Sequence, residues 1–425
     1  MKNDNSKKIT DTIFIIITSI CFTFYCFRLV LLHYNQTLYP ITGKYESDLF
    51  AHIEMALDGW GYSILAVFFR LFSYLNDFWF HFAIAALLCI FEAGALSLTY
   101  ILLRKYKAGT KTAIVFSAFT GFAMPFYIRA IQPYRYIGYQ SGSIWHNSTY
   151  IAMKFFALLC IMLFLAISEK YREKLNVGAL IAFALLLAAT TSVKTNFILV
   201  FAPVALLLLI IDAILGVKIK NIILCALTVI PSILVILFQE YVLFGESTGN
   251  GIIIDPLYSV YLRAEKPYFT MILSLAFPLM VLFYNLIPVL RDTVLDFKDK
   301  KRELSHRFFI LAWGMWFVGF CELILLRETG ARELDDNFAW GYDFCVFILF
   351  VVSVLYFAKN VSLLSKKIIL CDMSDNSDIQ EKEKRPAKGF GIAYQIAAFA
   401  ALLYQVYCGV YFFVRLSQGL TFFMQ

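Results

Sequence analysis

The sequence predicts an all-α polytopic membrane protein of about eleven transmembrane helices, and three observations support this fold class. Sixty per cent of the residues are hydrophobic and only 16% are charged. The mean hydropathy is +0.72, which is typical of membrane proteins and not of soluble domains. The apolar residues are collected into runs of about 18–25, the length that crosses a bilayer as a helix. These patterns predict a single integral membrane domain over residues 1–425.

Eleven apolar runs are candidate spans, and polar or charged loops separate them. In chain order they are 11–33, 78–103, 112–128, 149–168, 176–190, 196–214, 222–243, 269–290, 308–326, 339–358 and 389–414. The fifth run is short, and the third and tenth are mildly polar, so the expected count is eleven within one or two. Segment 62–75 is too short to span comfortably and contains Arg70, which predicts a second surface helix or a re-entrant segment.

Lysine and arginine are concentrated in alternate loops, and this asymmetry predicts the orientation of the chain. Basic loops include 104–111, 170–174 and 298–302, whereas the loops between them are longer on average and poor in lysine. The positive-inside rule therefore predicts a multi-pass protein of the cell membrane with its N-terminus in the cytoplasm and its C-terminus outside. Segment 359–388 is charged and poor in apolar residues, which predicts a flexible cytoplasmic loop.

The net charge and the cysteines argue against two other classes of protein. The charge of +7 comes from basic residues in short loops, so no nucleic acid is expected as a partner. The nine cysteines are scattered, mostly within apolar runs, and none forms a CxxC pair. This pattern indicates small core residues and not a disulfide framework or a zinc site.

The polar stretch 33–61, between the first two predicted spans, is expected to contain a short helix on the membrane surface. Ser47 is a suitable N-cap, and Asp48 would then lie in the first turn, where a carboxylate is favoured. The apolar stripe of this helix is predicted at Leu49, Ile53 and Leu57, with Phe50 and Ala56 flanking.

Three ionisable side chains of this stretch, Glu46, Asp48 and His52, are the candidate catalytic residues. Asp48 and His52 are four residues apart, so their side chains can meet on the polar face of the helix. An acid and an imidazole would then lie at a fixed depth at the membrane–water boundary. An amphipathic connector with a solvated charged face explains the same residues equally well.

The second outer loop, 129–149, combines aromatic rings with hydrogen-bonding side chains, a composition that suits sugar faces and hydroxyl groups. Its adjacent residues Trp145, His146 and Asn147 are candidate substrate-binding residues, because such a cluster is uncommon in a plain interfacial belt. For the tyrosines of the same loop, an interfacial aromatic belt remains the alternative.

Three basic residues near the ends of spans are candidates for binding a lipid phosphate. Lys194 lies in the tight connection between the fifth and sixth predicted spans, and Arg263 and Lys266 lie just before the eighth. A cation at this depth either snorkels to the interface or meets an anion, and a lipid phosphate is one such anion. The spacing alone does not separate these two interpretations.

Glu92 lies in the middle of the second predicted span, where an ionisable group is energetically costly. It is therefore expected to face the interior of the bundle and to have a partner. A structural role is preferred, and a place in a proton path is the alternative.

Two of these segments resemble the GT-C superfamily of integral membrane glycosyltransferases, most closely the protein mannosyltransferase and aminoarabinose transferase branch. One is the acidic motif YESDLFAHI, which contains Glu46 and Asp48 and is followed by the surface helix. The other is LLLAATTSVKTNFILVFAP (185–203), which places Ser-Val-Lys between two spans. The resemblance implies a bundle of about eleven spans, a polyprenyl-phosphate-linked sugar donor and an acidic general base in the first outer loop.

The chemistry of sugar transfer fits these candidate residues. Asp48 would take the proton of the acceptor hydroxyl, tuned by His52 or Glu46. The leaving phosphate would be held by cations, namely Lys194, Arg263 and Lys266. The expected partners are a polyprenyl-phosphate sugar donor, membrane lipid, and a glycan, lipid or protein acceptor. No cofactor is required, and a divalent cation bound by Asp48 with His52 or Glu46 is left open.

Two other function classes remain open at the level of sequence. A transporter or flippase of lipid-linked glycan would share an aromatic and basic outer cavity, but should carry polar residues through the depth of the bundle. A glycan polymerase with two arginine-rich outer loops would account for Arg129 with Arg135 and for Arg327 with Arg332. Replacing Asp48 by asparagine distinguishes the transferase from the polymerase. The transferase should lose its activity, whereas a polymerase that relies on arginines need not depend on this acid.

Overall fold

The computed structural model describes residues 2–59, 62–244, 251–299, 304–330, 333–373 and 378–425. The helices within these ranges are α1 Lys2–Thr37, α2 Tyr39–Thr42, α3 Leu49–Asp58, α4 Ile64–Phe72, α5 Asp77–Lys105, α6 Thr110–Phe122, α7 Ser148–Lys170, α8 Val177–Val193, α9 Asn196–Ile214, α10 Ile219–Ala226, α11 Ile230–Phe244, α12 Tyr258–Arg263, α13 Pro267–Ser274, α14 Ala276–Asp299, α15 Leu304–Leu325, α16 Asn337–Met373 and α17 Asp378–Leu416. A short 3-10 turn, Leu227–Val229, joins α10 to α11. Strands β1 Gly251–Ile254 and β2 Leu326–Thr329 pair antiparallel.

Eight helical segments of the described chain are long and apolar enough to cross a membrane, which confirms the predicted class of all-α polytopic membrane protein. They are Ile9–Thr37, Asp77–Lys105, Ser148–Lys170, Asn196–Ile214, Ile219–Val242, His306–Leu325, Asn337–Leu363 and Gly391–Leu416. Helices α13 and α14 form a ninth candidate if they are counted together, with a bend of 68° at their break.

Two of the eleven predicted spans correspond to shorter helices. The run 112–128 forms α6, which has 13 residues, and the run 176–190 forms α8, which has 17. Thirteen residues rise about 20 Å, which is less than the roughly 30 Å hydrocarbon thickness. The chain after α6 is irregular as far as α7, and residues 138–147 of it are buried inside the protein. Because these residues are buried, their backbone polar groups need hydrogen-bond partners within the protein.

Helix α16 occupies the centre of the bundle. Its side chains are buried without interruption from position 341 to 358, and it packs against α9, α14 and α15. An apolar helix in a membrane can be surrounded by lipid or by protein, and α16 is surrounded by protein. The first turns of α16 are thereby held rigidly at one end of the bundle.

Segment 62–75 forms the short helix α4 and not a span. Ser63 is its N-cap, with the hydroxyl accepting a hydrogen bond from the backbone N–H of Ala66 at 3.0 Å. The nine residues of this helix rise only about 13 Å, so it cannot cross a bilayer. Helix α4 packs on α3, so the two short helices form one unit beside the bundle.

The segment 359–388, predicted to be a flexible loop, is partly covered by helix. Helix α16 extends to Met373 and α17 begins at Asp378. Residues 374–377 lie outside the described residues. The flexibility of this segment stays a prediction.

Glu92 has a partner inside the bundle, as the sequence predicts. Lys154 of α7 donates hydrogen bonds to both carboxylate oxygens of Glu92, at 2.7 and 2.9 Å. Both side chains are buried. The ion pair joins α5 to α7 within the membrane-spanning region.

Candidate functional site

Helix α3 begins one residue later than the sequence predicts. Asp48 is its N-cap and does not lie in its first turn, and Ser47 precedes the helix. The hydroxyl of Ser47 accepts a hydrogen bond from the backbone N–H of Leu49 at 3.1 Å and donates one to the carbonyl of His146 at 2.5 Å. Ser47 therefore anchors the start of α3 to the loop that precedes α7.

The buried face of α3 also differs from the predicted stripe. Leu49, Ile53 and Ala56 are buried, whereas Leu57 is 41% exposed. The reason is the helical period of 3.6 residues, because positions separated by four and then three residues stay on one face. A strict repeat of four drifts away from that face.

Asp48 is held by the first residues of α7. The side-chain N–H of Asn147 donates a hydrogen bond to Oδ2 of Asp48 at 2.7 Å, and the backbone N–H of Asp48 donates to the carbonyl of His146 at 3.0 Å. Asn147 is also the N-cap of α7, and its Oδ1 accepts from the backbone N–H of Tyr150 at 2.9 Å. One amide thus caps a spanning helix and orients the acid, because it carries both donors and an acceptor.

His52 is directed toward the same helix terminus. Its Nδ1 lies 2.7 Å from the hydroxyl of Ser148, the residue that follows Asn147. The spacing of four residues places Asp48 and His52 on the same side of α3, and both line one cavity. The hydrogen-bond partners of Asp48 and His52, Asn147 and Ser148, are consecutive residues at the start of α7.

This cavity has a volume of about 450 Å³ and lies where the ends of several helices meet. Its size is within the usual range for small-molecule sites. Six of the nine predicted site residues line it, namely Asp48, His52, His146, Asn147, Lys194 and Arg263. Residues far apart in the sequence are therefore brought to one cavity.

Lys194 is the C-cap of α8 and is connected to the acid through hydrogen bonds. Its ammonium group donates to the hydroxyl of Thr149 at 3.1 Å, and that hydroxyl donates to Oδ1 of Asn147 at 2.8 Å. Since Asn147 donates to Asp48, the chain of contacts is continuous. The Lys194 ammonium also lies 4.6 Å from the centroid of the Trp340 ring, within cation–π range.

Arg263 is the last residue of α12 and reaches the cavity from another side. Its Nη2 donates to the carbonyl of Leu334 at 2.7 Å, and its Nε lies 3.4 Å from a carboxylate oxygen of Asp336. Burial raises the pKa of the Asp336 carboxyl, and the nearby Arg263 opposes this effect. The contacts hold the guanidinium at the cavity wall.

Glu46 and Lys266 do not line the cavity, so the structure does not bring them to the predicted site. The carboxylate of Glu46 accepts a hydrogen bond from the hydroxyl of Thr421, near the end of the chain. The ammonium of Lys266 donates to the carbonyl of Ala130 at 3.1 Å and is exposed. Both residues are held by other surface segments.

Trp145 is also outside the cavity, although its neighbour His146 lines it. The indole is fully buried, and its ring centroid lies 5.3 Å from that of Phe413 in α17. The two neighbours have separate environments, since His146 stacks on Phe422 at 4.3 Å. Burial lowers the pKa of the His146 imidazole, with the charge of Asp48 opposing.

Trp340 and Asp343 line the cavity, and the sequence analysis assigned a role to neither. They are three residues apart at the start of α16, so they share a helix face. That spacing, together with an acid at the beginning of a strongly apolar helix, is a signal that could have identified them. Asp335 and Asp336 also line the cavity.

The arginines of the polymerase alternative are held elsewhere. Arg135 lies between two tyrosine rings, 3.9 and 4.2 Å from their centroids. Arg327 forms ion pairs with two carboxylates at 2.8 and 2.5 Å, and Arg129 contacts a glutamine amide at 3.4 Å. None of these three lines the cavity, and Arg332 lies outside the described residues.

Each of the candidate ligands for a divalent cation has another hydrogen-bond partner. Asp48 accepts from Asn147, His52 contacts Ser148, and Glu46 lies outside the cavity. Over the ranges that the structure describes, no group of three or more His, Cys, Asp or Glu side chains is arranged to hold a metal ion.

The fold and the cavity define the class of the protein as a multi-pass helical membrane protein with acidic and basic side chains gathered at one end of its bundle. No protein-family model and no curated protein sequence matches the chain.

Proposed function

We propose that the protein is a membrane glycosyltransferase of GT-C-like architecture. It moves a sugar from a polyprenyl-phosphate-linked donor to an acceptor on the outer face of the membrane. The observation that carries the proposal is the continuous hydrogen-bonded connection from Asp48 to Lys194 along the wall of one cavity. A base and a phosphate-binding cation are the groups that such a transfer needs from the protein.

The proposal includes eleven membrane crossings. The eight long segments, the bent pair α13–α14, and the shorter helices α6 and α8 supply them. An odd number agrees with the loop charges, which favour a cytoplasmic N-terminus and an external C-terminus. The cavity residues then belong to the outer side, where a lipid-linked donor in the outer leaflet can reach them.

In the proposed reaction, Asp48 acts as the base, and Lys194 and Arg263 bind the phosphate. The acceptor hydroxyl oxygen attacks the anomeric carbon of the sugar, and Asp48 takes the hydroxyl proton. The bond from the anomeric carbon to the phosphate oxygen breaks, and its electron pair stays on the phosphate. Lys194 and Arg263 stabilise the charge on that leaving group. The acceptor is a glycan, a lipid or a protein.

The polymerase alternative has less support from the geometry than the transferase. A polymerase that uses paired arginines would need them near the cavity, and the three described ones do not line it. A flippase of lipid-linked glycan would bind the same donor without cleaving it. Measurement of chemical turnover therefore separates the flippase from the transferase.

The test is turnover of undecaprenyl-phosphate-linked sugars by the purified protein in liposomes, with a membrane extract as the source of acceptors. We expect release of undecaprenyl phosphate, and a loss of about 10²–10⁴-fold in Asp48→Asn, because a general base is removed. The matched control is Asp58→Asn at the other end of α3, which does not line the cavity and should retain turnover. Wild-type turnover by Asp48→Asn would exclude Asp48 as the base. Transport without release would favour the flippase.

A further inference from the structure

Two polar atoms on the cavity wall have no hydrogen-bond partner among the described residues, namely Nδ1 of His146 and Oδ1 of Asp343. The side chains are 2% and 5% exposed, and both residues line the cavity. Buried polar atoms in proteins are nearly always paired, because an unpaired one loses its hydration without compensation. Two such atoms in residues that line one cavity point to a ligand that supplies the missing hydrogen bonds.

Trp340 is close to both Lys194 and His146. Its ring centroid is 4.6 Å from the ammonium of Lys194 and 6.2 Å from the centroid of the His146 ring. Asp343 is on the same face of α16, less than one turn further along. A phosphate beside Lys194 would therefore place the group attached to it over Trp340 and toward His146 and Asp343.

The chemistry of this end of the cavity suits a sugar ring. A carboxylate accepts hydrogen bonds from hydroxyl groups, an imidazole nitrogen donates or accepts, and an aromatic ring packs on the apolar face of a sugar. Burial lowers the pKa of His146, which favours its neutral form. Neither a neutral imidazole nor an aspartate side chain offers positive charge to a phosphate, so the phosphate is directed to Lys194.

We infer that His146 and Asp343 form the sugar-binding end of the cavity and take a neutral, hydroxyl-rich ring whose phosphate is held by Lys194. This inference rests on the proposed function. It adds Asp343 to the site and separates the two ends of the donor, with ring recognition at one end and phosphate recognition at the other.

The experiment compares two ligands, undecaprenyl phosphate alone and a panel of undecaprenyl-phosphate-linked hexoses and pentoses, by direct binding to the full-length protein in detergent. We expect Asp343→Asn and His146→Ala to weaken binding of the preferred sugar-linked lipid at least 10-fold. The affinity for undecaprenyl phosphate alone should stay within about twofold of wild type, which also shows that the variants are folded. Lys194→Ala should weaken binding of both ligands.

Two matched controls test whether loss of any buried polar group has the same effect. Glu322→Gln and His33→Ala change residues that also have an unpartnered buried atom among the described residues but do not line the cavity. Both should bind the two ligands as wild type does.

Three results would overturn the inference. Variants of His146 and Asp343 that bind both ligands normally, or lose both equally, would show that the pair does not recognise the sugar. Wild-type protein that binds the sugar-linked lipids no more tightly than the bare lipid would show that no sugar site exists. If wild type binds neither ligand, the proposed function fails together with the inference.

Discussion

The ammonium group of Lys194 and the carboxylate of Asp48 are joined by a continuous chain of hydrogen bonds through Thr149 and Asn147. The chain links the end of α8, the start of α7 and the start of α3. Helix ends leave backbone groups without partners inside the helix, so side chains at these positions commonly make capping contacts. Here the N-cap residue of α7 also positions the acid, and this dual role can be tested.

The two roles of Asn147 can be separated by substitution. Asn147→Ser keeps an oxygen that can cap α7 but removes the amide donor to Asp48, so thermal stability should be retained while turnover falls about 10-fold. Asn147→Ala removes both, and should cost a further ~1 kcal/mol of stability because the N-cap is lost. Turnover and thermal unfolding of the purified variants are the measurements. Normal turnover by Asn147→Ser would show that the amide does not position Asp48.

The cations at the cavity should determine affinity for the lipid phosphate. Lys194→Ala or Arg263→Ala should weaken binding of undecaprenyl phosphate about 10-fold, since a charge-assisted contact contributes roughly 1.5–3 kcal/mol. Lys266→Ala is the matched control, because this lysine does not line the cavity. Binding can be measured by titration in detergent. An equal loss in all three variants would indicate a general effect of surface charge.

The buried ion pair Glu92–Lys154 should be important for stability. Glu92→Gln leaves the Lys154 ammonium without its counter-charge in a buried site, which typically costs about 3–5 kcal/mol. The double variant Glu92→Leu with Lys154→Met removes both charges and should recover most of this loss. Thermal unfolding in detergent measures the stability of the single and the double variant. A double variant less stable than Glu92→Gln would contradict this reasoning.

His146 should make stability depend on pH. Burial lowers its folded-state pKa below the unfolded value of about 6.5, so below that pH the unfolded chain binds a proton that the folded protein resists. Stability is therefore lost as the pH falls through 6.5, and His146→Gln should reduce this loss. Melting temperatures of wild type and variant between pH 7.5 and 5.5 test the prediction. If the melting temperatures of wild type and variant fall in parallel with pH, the prediction is wrong. The other histidines are the same in both proteins, so any difference between the two curves comes from His146.

The predicted orientation can be tested by cysteine labelling of intact cells. A labelling site must be exposed: Tyr134 in the loop 129–149 is 36% exposed, and Lys107 is exposed in a basic loop. An impermeant reagent added from outside should label Tyr134→Cys above the background of the native cysteines. It should not label Lys107→Cys unless the cells are opened. The reverse pattern would invert the proposed topology.

The sequence by itself determined the class of protein and the positions of most spans. Membrane insertion depends on the length and hydropathy of a continuous segment, and these are local properties of the chain. Local patterns also identified the short helices α3 and α4 and placed Asp48 and Lys194 at helix ends, whereas α12, which ends at Arg263, was not predicted. The predicted bounds of a span were less accurate where irregular backbone interrupts the apolar run, as in the run 112–128, of which α6 covers only the part up to Phe122.

Only the tertiary structure decided which of these residues share a cavity. Trp145 and His146 are adjacent, yet one packs into the bundle and the other lines the cavity, because the irregular loop that carries them is shaped by its contacts with distant helices. Lys154 as the partner of Glu92 follows from the packing of α7 on α5. Asp343 joins the site because α16 is fixed at the centre of the bundle. Such pairings depend on contacts between segments remote in sequence, which no local pattern encodes.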